Sequence, residues 1–317
     1  MTEFELIRTF FARQDVTRAD VAAGIGDDAA LLQPPAGQQL AVTSDLLVSG
    51  VHFLPDADPY LLGHKALAVN LSDLAAMGAE PAWFMLNLAL PRADAKWLEL
   101  FCRGMFELAR EHKVQLVGGD TSRGPLTIAI EAHGFVPMGQ ALRRSGAQAG
   151  DSIYVTGTLG DAGLALRHRL GGIFLPESDL AAVAGRMDRP TPRVREGLML
   201  RGLAHSAIDI SDGLLADLGH ILEMSQVGAR IYLEKIPVSP VCRAHLRETG
   251  WDMVLANGDD YELCFTAPEQ HVAALEKLRP ACGFHQIGVI EAEPGLRIVD
   301  EAGRPYQPRQ SGHDHFA

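Results

Sequence analysis

Seven aspartates stand in five short motifs rich in Gly, Ser or Asn: Gly26-Asp27-Asp28, Ser44-Asp45, Asn70-Leu71-Ser72-Asp73, Gly118-Gly119-Asp120 and Asp209-Ile210-Ser211-Asp212-Gly213. Carboxylates gathered this densely repel and raise one another's pKa values unless cations lie between them. The pattern therefore predicts hard divalent ions and, with them, Mg2+-dependent phosphate chemistry. Asp27, Asp28, Asp45, Asp73 and Asp120 offer charged oxygens, while Thr43 and Ser44 add hydroxyl or carbonyl oxygens without adding charge. Taken singly, each motif has a plain structural reading, since Gly-Asp makes turns and Ser or Asp caps helices. Five in one chain favour an ion site.

Two further stretches suit phosphate oxygens. Gly118-Gly119-Asp120-Thr121 combines close backbone approach with a carboxylate, and Gly157-Thr158-Leu159-Gly160 offers backbone N–H groups near an expected helix start. Neither GxxxxGK(S/T) nor a GxGxxG in a Rossmann setting occurs, which removes the usual nucleotide cradles without excluding ATP. Arg144 is the candidate polyphosphate contact, because a guanidinium forms directional bonds, and Lys65 is a second. His52 lies seven residues beyond Asp45 and stands out by position, against the alternative of a satisfied turn histidine. Ser211 sits between Asp209 and Asp212 with no GxSxG elbow, so an accessory ligand to a nucleotide or its ions is more economical than a nucleophile. No HExxH and no zinc-like Cys/His spacing is present.

Hydrophobic periodicity supplies the frame that would position these groups. Phe4, Ile7 and Phe11 predict an amphipathic first helix, and a strand is expected at 40–43. Pro59 opens a helix ended by Gly78, with Asn70 and Asp73, three residues apart, on one face. A strand at 83–90, an Asp94-capped helix, a short strand at 114–117 running into Gly118-Gly119-Asp120 and a strand at 127–136 complete one α/β (α+β) unit. Strands at 151–156, 229–233, 261–266, 285–290 and 296–299, with helices after Gly160, around 180–187, after Pro192 and after Gly213, predict a second, larger α/β unit. The expected domains are 1–137 and 138–317.

With 317 residues and 47% hydrophobic content, the chain can bury two cores. Its formal charge of -12 disfavours a nucleic-acid or anionic-membrane surface. No run of 18 apolar residues and no basic-then-apolar leader is visible, and the four cysteines form no CxxC pair. A cytoplasmic protein with reduced thiols and no membrane partner is the expectation.

The motifs in order are more specific than any one of them. Gly24-Ile25-Gly26-Asp27-Asp28-Ala29-Ala30, Thr43-Ser44-Asp45 with Gly50-Val51-His52-Phe53, and the run from Lys65 through Asn70-Leu71-Ser72-Asp73 to Gly78 are followed by Gly118-Gly119-Asp120-Thr121, Val155-Thr156-Gly157, Asp209-Ile210-Ser211-Asp212-Gly213 and Gly258-Asp259-Asp260-Tyr261-Glu262-Leu263. From about residue 3 to Phe316 the set resembles the thiamine-monophosphate kinases, in the superfamily of aminoimidazole ribonucleotide synthetase and selenophosphate synthetase. The resemblance implies ATP-dependent phosphorylation of thiamine monophosphate to thiamine diphosphate, in a two-domain fold. Its N-terminal domain would dimerise through its sheet and its C-terminal domain would close over the nucleotide cleft. It further implies that Asp28, Asp45, Asp73, Asp120, Asp209 and Asp212 bind Mg2+ with Thr43, Ser44 and the adjacent Asp27, with Asp45, Asp120 and Asp212 as the catalytic carboxylates. Gly119, Asp120, Arg144 and Ser211 would serve ATP, and His52, Asp259 and His313 the thiamine monophosphate pocket. Two positions depart from the family pattern: Asp259 replaces a glutamate, and His313 replaces an aromatic residue before Asp314-His315-Phe316. Another phosphate acceptor is the nearest alternative. A noncatalytic Ca2+ module is disfavoured by the lack of a DxDxDG loop with a terminal glutamate.

Overall fold

The computed structural model describes residues 2–310 and Gly312. The chain divides into two units, residues 1–74 with 79–139 and residues 75–78 with 140–317.

In the first unit a capping box opens α1 (Glu3–Leu6), with the Thr2 hydroxyl accepting from the Glu5 N–H and the Glu5 carboxylate accepting from the Thr2 N–H. β1 (Val21–Ala23) and β2 (Leu31–Leu32) pair as a small antiparallel ribbon. β3 (Gln38–Val48), α2 (Pro59–Ala76), β4 (Glu80–Leu90), α3 (Ala95–His112), β5 (Gln115–Arg123) and β6 (Thr127–Pro137) follow, and the strands form a sheet in the order β3-β6-β4-β5. β4 and β5 run parallel while the other pairs are antiparallel. Asp58 accepts from the Tyr60 N–H at 2.8 Å and caps α2 immediately before Pro59 at its first position. Asp94 does the same for α3 through the Lys96 and Trp97 N–H groups.

α2 is buried at every position from Leu62 to Ala76 except Asp73, which is half-buried. A helix buried on all sides is a core helix, and between Leu62 and Ala76 only Asp73 opens toward solvent. β3 reads differently on its two sides. Ala41, Thr43 and Asp45 are half-buried and Leu47 is buried, while Leu40, Val42, Ser44 and Leu46 are exposed, the two-residue period of a strand covered on one face.

The second unit comprises β7 (Ser152–Val155), α4 (Asp161–Arg169), α5 (Glu177–Asp188), α6 (Val194–Leu200), β8 (Ser206–Asp209), α7 (Leu214–Ser225), β9 (Gly228–Tyr232), α8 (Pro240–Thr249), α9 (Asp252–Ala256), β10 (Leu263–Ala267), α10 (Val272–Cys282), β11 (His285–Glu291) and β12 (Gly295–Val299). Its sheet runs β12-β9-β11-β7-β10-β8. The core is built from Ile153, Val155, Leu164, Leu218, Ile221 and Leu255, among others. The four cysteines are buried free thiols, and burial pushes those of Cys102 and Cys242 up to about 12.

β3, β5, α8 and α9 differ from the sequence reading. The strand expected at 40–43 continues through Asp45 to Val48, because nothing between Gly37 and Gly50 breaks its alternation. Gly118-Gly119-Asp120 is the middle of β5, not a turn after it. α8 and α9 were not expected; α8 is signalled by Ser239, whose hydroxyl accepts from the Cys242 N–H, and by Pro240 at its start.

Candidate active site

The first cluster of polar groups lies where β3 crosses α2. Strand parity turns Thr43 and Asp45 toward the helix, and the shared face of Asn70 and Asp73 meets them. The Thr43 hydroxyl donates to Asp73 Oδ2 at 2.5 Å, and the Asp45 N–H donates to Asn70 Oδ1 at 3.2 Å. Asn70 is fully buried and its amide nitrogen donates to the Ala66 carbonyl at 3.1 Å, which fixes the orientation of its oxygen. The same parity sends the Ser44 side chain to the opposite face of the sheet, with Leu40, Val42 and Leu46.

Asp120 is set apart from this cluster. In the sheet register it stands beside Asn87, which pairs with Ala129, which in turn pairs with Leu46. Asn87 and Asp120 are both exposed. Asp120 therefore occupies the Ser44 face, and three strand spacings, about 14 Å, separate β5 from β3. Gly119 has φ of 138°, and a Cβ there would lie 1.8 Å from the Leu86 carbonyl oxygen. Glycine is required because β5 approaches β4 that closely. The loop bearing Asp27 and Asp28 starts at Gly24, which packs beside Val117 of β5. Both aspartates are exposed, and Asp27 Oδ1 accepts from the Asp28 N–H at 3.0 Å. Among the described residues, no three His, Cys, Asp or Glu side chains are gathered into one metal-sized group.

His52 is half-buried, and its Nδ1 accepts from the Val48 N–H at 3.0 Å. In the neutral ring that bond leaves the hydrogen on Nε2. Lys65 is buried in α2, and Arg144 is exposed, with its carbonyl accepting from the Ser225 hydroxyl.

In the second unit Asp209 ends β8 and is buried, while Ser211 and Asp212 are half-buried in the loop before α7. Asp217, from the first turn of α7, accepts from the backbone N–H groups of Asp212 (3.0 Å) and Gly213 (3.1 Å). Burial, and then the Asp212 charge, push the Asp217 carboxyl up to about 7, against the backbone donors that pull it down. The Gly258–Glu262 segment lies alongside. The Asp259 N–H donates to the Ser211 carbonyl at 2.9 Å, and the Tyr261 hydroxyl donates to Asp259 Oδ1 at 3.0 Å. Gly312 packs against the Asp212 carbonyl and Ala216; His313 lies outside the described residues. Asp217 was missed by the sequence reading, and its signal was an acidic residue in the first turn of the helix that follows Asp-Gly.

The sequence of this two-unit α/β chain matches the family of AIR synthase related proteins in both of its units. The N-terminal domain model of that family matches residues 26–136 and the C-terminal model matches residues 148–301. Thiamine-monophosphate kinase of Escherichia coli (strain K12) is 51% identical over 322 residues, covering 99% of this chain and 98% of the relative. The crystal structure of thiamine-monophosphate kinase from Stenotrophomonas maltophilia K279a superposes with a TM-score of 0.84 at 50% identity, over 89% of this chain and 92% of that one. AaThiL complexed with AMPPCP and TMP superposes with a TM-score of 0.78 at 31% identity, over 89% of each chain. This chain belongs to the thiamine-monophosphate kinase family.

Proposed function

We propose that the protein transfers the γ-phosphoryl group of ATP to the phosphate of thiamine monophosphate, forming thiamine diphosphate and ADP. The observation that carries this reading is the convergence of Thr43, Asp45, Asn70 and Asp73 where β3 meets α2, in a chain half identical to kinases of that name. A substrate phosphate oxygen forms the new P–O bond as the bond to the β-phosphate oxygen breaks. That oxygen is already anionic, so no side chain has to remove a proton, and positioning with charge neutralisation supplies the catalysis.

The donor set fits Mg2+ in its chemistry. It is all oxygen, and the Thr43 hydroxyl and Asp73 carboxylate lie 2.5 Å apart, close enough to serve one cation. In the first unit Asp27, Asp28, Thr43, Asp45, Asp73 and Asp120, with Ser44, would hold the ions; in the second, Asp209 and Asp212 would. When bound, Mg2+ neutralises phosphate charge and orients the transferring group. Asp45, Asp120 and Asp212 are the carboxylates assigned to catalysis. Gly119, Arg144 and Ser211 are the residues assigned to ATP, and His52, through its Nε2–H, Asp259 and His313 are those assigned to thiamine monophosphate. The exposed Leu40, Val42 and Leu46 of β3 support a homodimer formed through this sheet. Four buried thiols suit a cytoplasmic location, and no helix among the described residues is long and apolar enough to cross a membrane.

The test is a panel of phosphate acceptors offered with ATP and Mg2+ to the purified protein. Thiamine diphosphate formed one for one with ADP is expected. Product formed only from another acceptor would overturn the assignment.

A further inference from the structure

The densest buried polar network in the second unit involves none of the residues assigned above. Glu262 is completely buried and accepts four side-chain hydrogen bonds: from Arg193 Nε (2.6 Å) and Nη2 (2.5 Å), from Arg186 Nη2 (2.5 Å) and from the Thr156 hydroxyl (2.5 Å). Arg186 Nη2 also donates to the Asp260 carbonyl at 3.1 Å, and its buried Nε has no hydrogen-bond partner among the described residues. Burial disfavours the Arg193 charge, but the Glu262 carboxylate outweighs it and raises that guanidinium's pKa. Two cations on one carboxylate are more than ion pairing of Glu262 requires.

The backbone beside this clamp is held in an unfavourable shape. Asp259 and Tyr261 have φ of 67° and 48°, left-handed values that residues with a Cβ rarely adopt. Such a shape persists only where the surroundings over-determine it, and it concentrates at functional loops. Three sets of contacts do so here. The Asp259 and Tyr261 N–H groups donate to the Ser211 and Ile210 carbonyls, and the Ile210 N–H donates to the Glu262 carbonyl. The Asp260 carboxylate is buried and accepts from the Gly160 N–H at the start of α4. The Glu262 side chain is gripped by Arg186 and Arg193, and a Cβ at Gly157 would lie 2.1 Å from its Oε1. The segment is thus pinned at Asp259 itself and at Asp260, Tyr261 and Glu262 after it.

We propose that Arg186 and Arg193 are positioning residues for the acceptor: by gripping Glu262 they hold Asp259 and Tyr261 in the left-handed conformations that present the Asp259 carboxylate. The inference rests on the reading of Asp259 as a thiamine monophosphate contact.

The experiment measures KM for thiamine monophosphate and for ATP, kcat and thermal stability of the full chain carrying Arg193→Gln, Arg193→Lys, Arg186→Gln, Asp259→Asn and the Asp259→Asn/Arg193→Gln pair. Arg193→Gln should raise KM for thiamine monophosphate at least tenfold and change KM for ATP by less than twofold. Arg193→Lys, which keeps the charge and one donor, should recover part of that loss. The double variant should be no worse than Asp259→Asn alone, because residues acting through one contact are not additive. Losses that multiply in the double variant, equal rises in both KM values, or an unchanged KM in folded Arg193→Gln would each overturn the proposal. If Arg193→Gln does not fold, Arg186→Gln paired with Asp259→Asn makes the same comparison. An unchanged KM in Asp259→Asn would remove Asp259 from the pocket and the proposal with it, while wild-type turnover of thiamine monophosphate reports separately on the reaction.

Discussion

Thr43→Val isolates the contact on which the first cluster depends. Valine keeps the β-branched shape that suits a strand and removes only the hydroxyl that donates to Asp73 at 2.5 Å. A hydrogen bond to a charged acceptor is worth about 1.5–3 kcal/mol. Thr43 and Asp73 are both half-buried, so water weakens the interaction, and the low end, about 1.5 kcal/mol, is the working figure. That corresponds to roughly tenfold in an equilibrium or rate constant. The Mg2+ concentration at half-maximal activity should therefore rise about tenfold, or kcat fall by that factor at saturating Mg2+, with a melting temperature lowered by a few degrees at most, on the order expected for ~1 kcal/mol. The assay is thiamine diphosphate formation across an Mg2+ titration, with circular dichroism to confirm folding. Ser44→Ala is the internal comparison. Its hydroxyl lies on the other face of β3, so the same titration should shift less than twofold. Equal shifts in the two variants, or none in Thr43→Val, would refute the assignment of the Thr43 and Asp73 oxygens on the α2 side of β3 to a cation.

Asp45→Asn and Asp120→Asn should fold normally and lose most of their turnover, mainly in kcat, because each removes charge from an oxygen donor at nearly constant volume; steady-state kinetics with circular dichroism checks this. Arg144→Lys preserves charge but not the fork, so KM for ATP should rise severalfold while the melting temperature stays within a degree or two. Asp217→Ala leaves the Asp212 and Gly213 N–H groups without their acceptor, a cost of about 1–3 kcal/mol. It should lower stability in urea titration and reduce activity together.

Local signals carried much of the architecture. Pro59 and Asp94 mark helix starts because a missing N–H and a side-chain acceptor do physical work there, and Gly78, at φ of 61°, stops α2 for the same kind of reason. The strands bearing Asp45 and Asp120 were read short or as turns. Polar and glycine residues dilute the hydrophobic alternation at the positions reserved for ligands, and only pairing with β6 and β4 shows that the strands continue. Spacing also grouped Thr43, Ser44 and Asp45 as neighbours in sequence, while the two-residue period of a strand separates the middle side chain from the outer two. The grip of Arg186 and Arg193 on Glu262 spans 76 and 69 residues. No window of local sequence can reveal it, although the arginines and the glutamate are each plain in the sequence.

These placements divide the candidate carboxylates by the rigidity of what carries them. Asp45, Asp73 and Asp120 project from long elements, whose backbone hydrogen bonds fix each side chain's origin whether or not a cation is near. Asp27, Asp28, Asp212 and Asp259 sit in loops, where like charges can move apart. In the proposed reaction the first group would supply a fixed frame, and the second could adjust as phosphate charge changes. Where such a loop is nonetheless held in strain, as at Asp259, added contacts have to fix it, and the buried Glu262 clamp provides them. Immobilising Asp259 suits recognition of an acceptor whose position must be set before transfer.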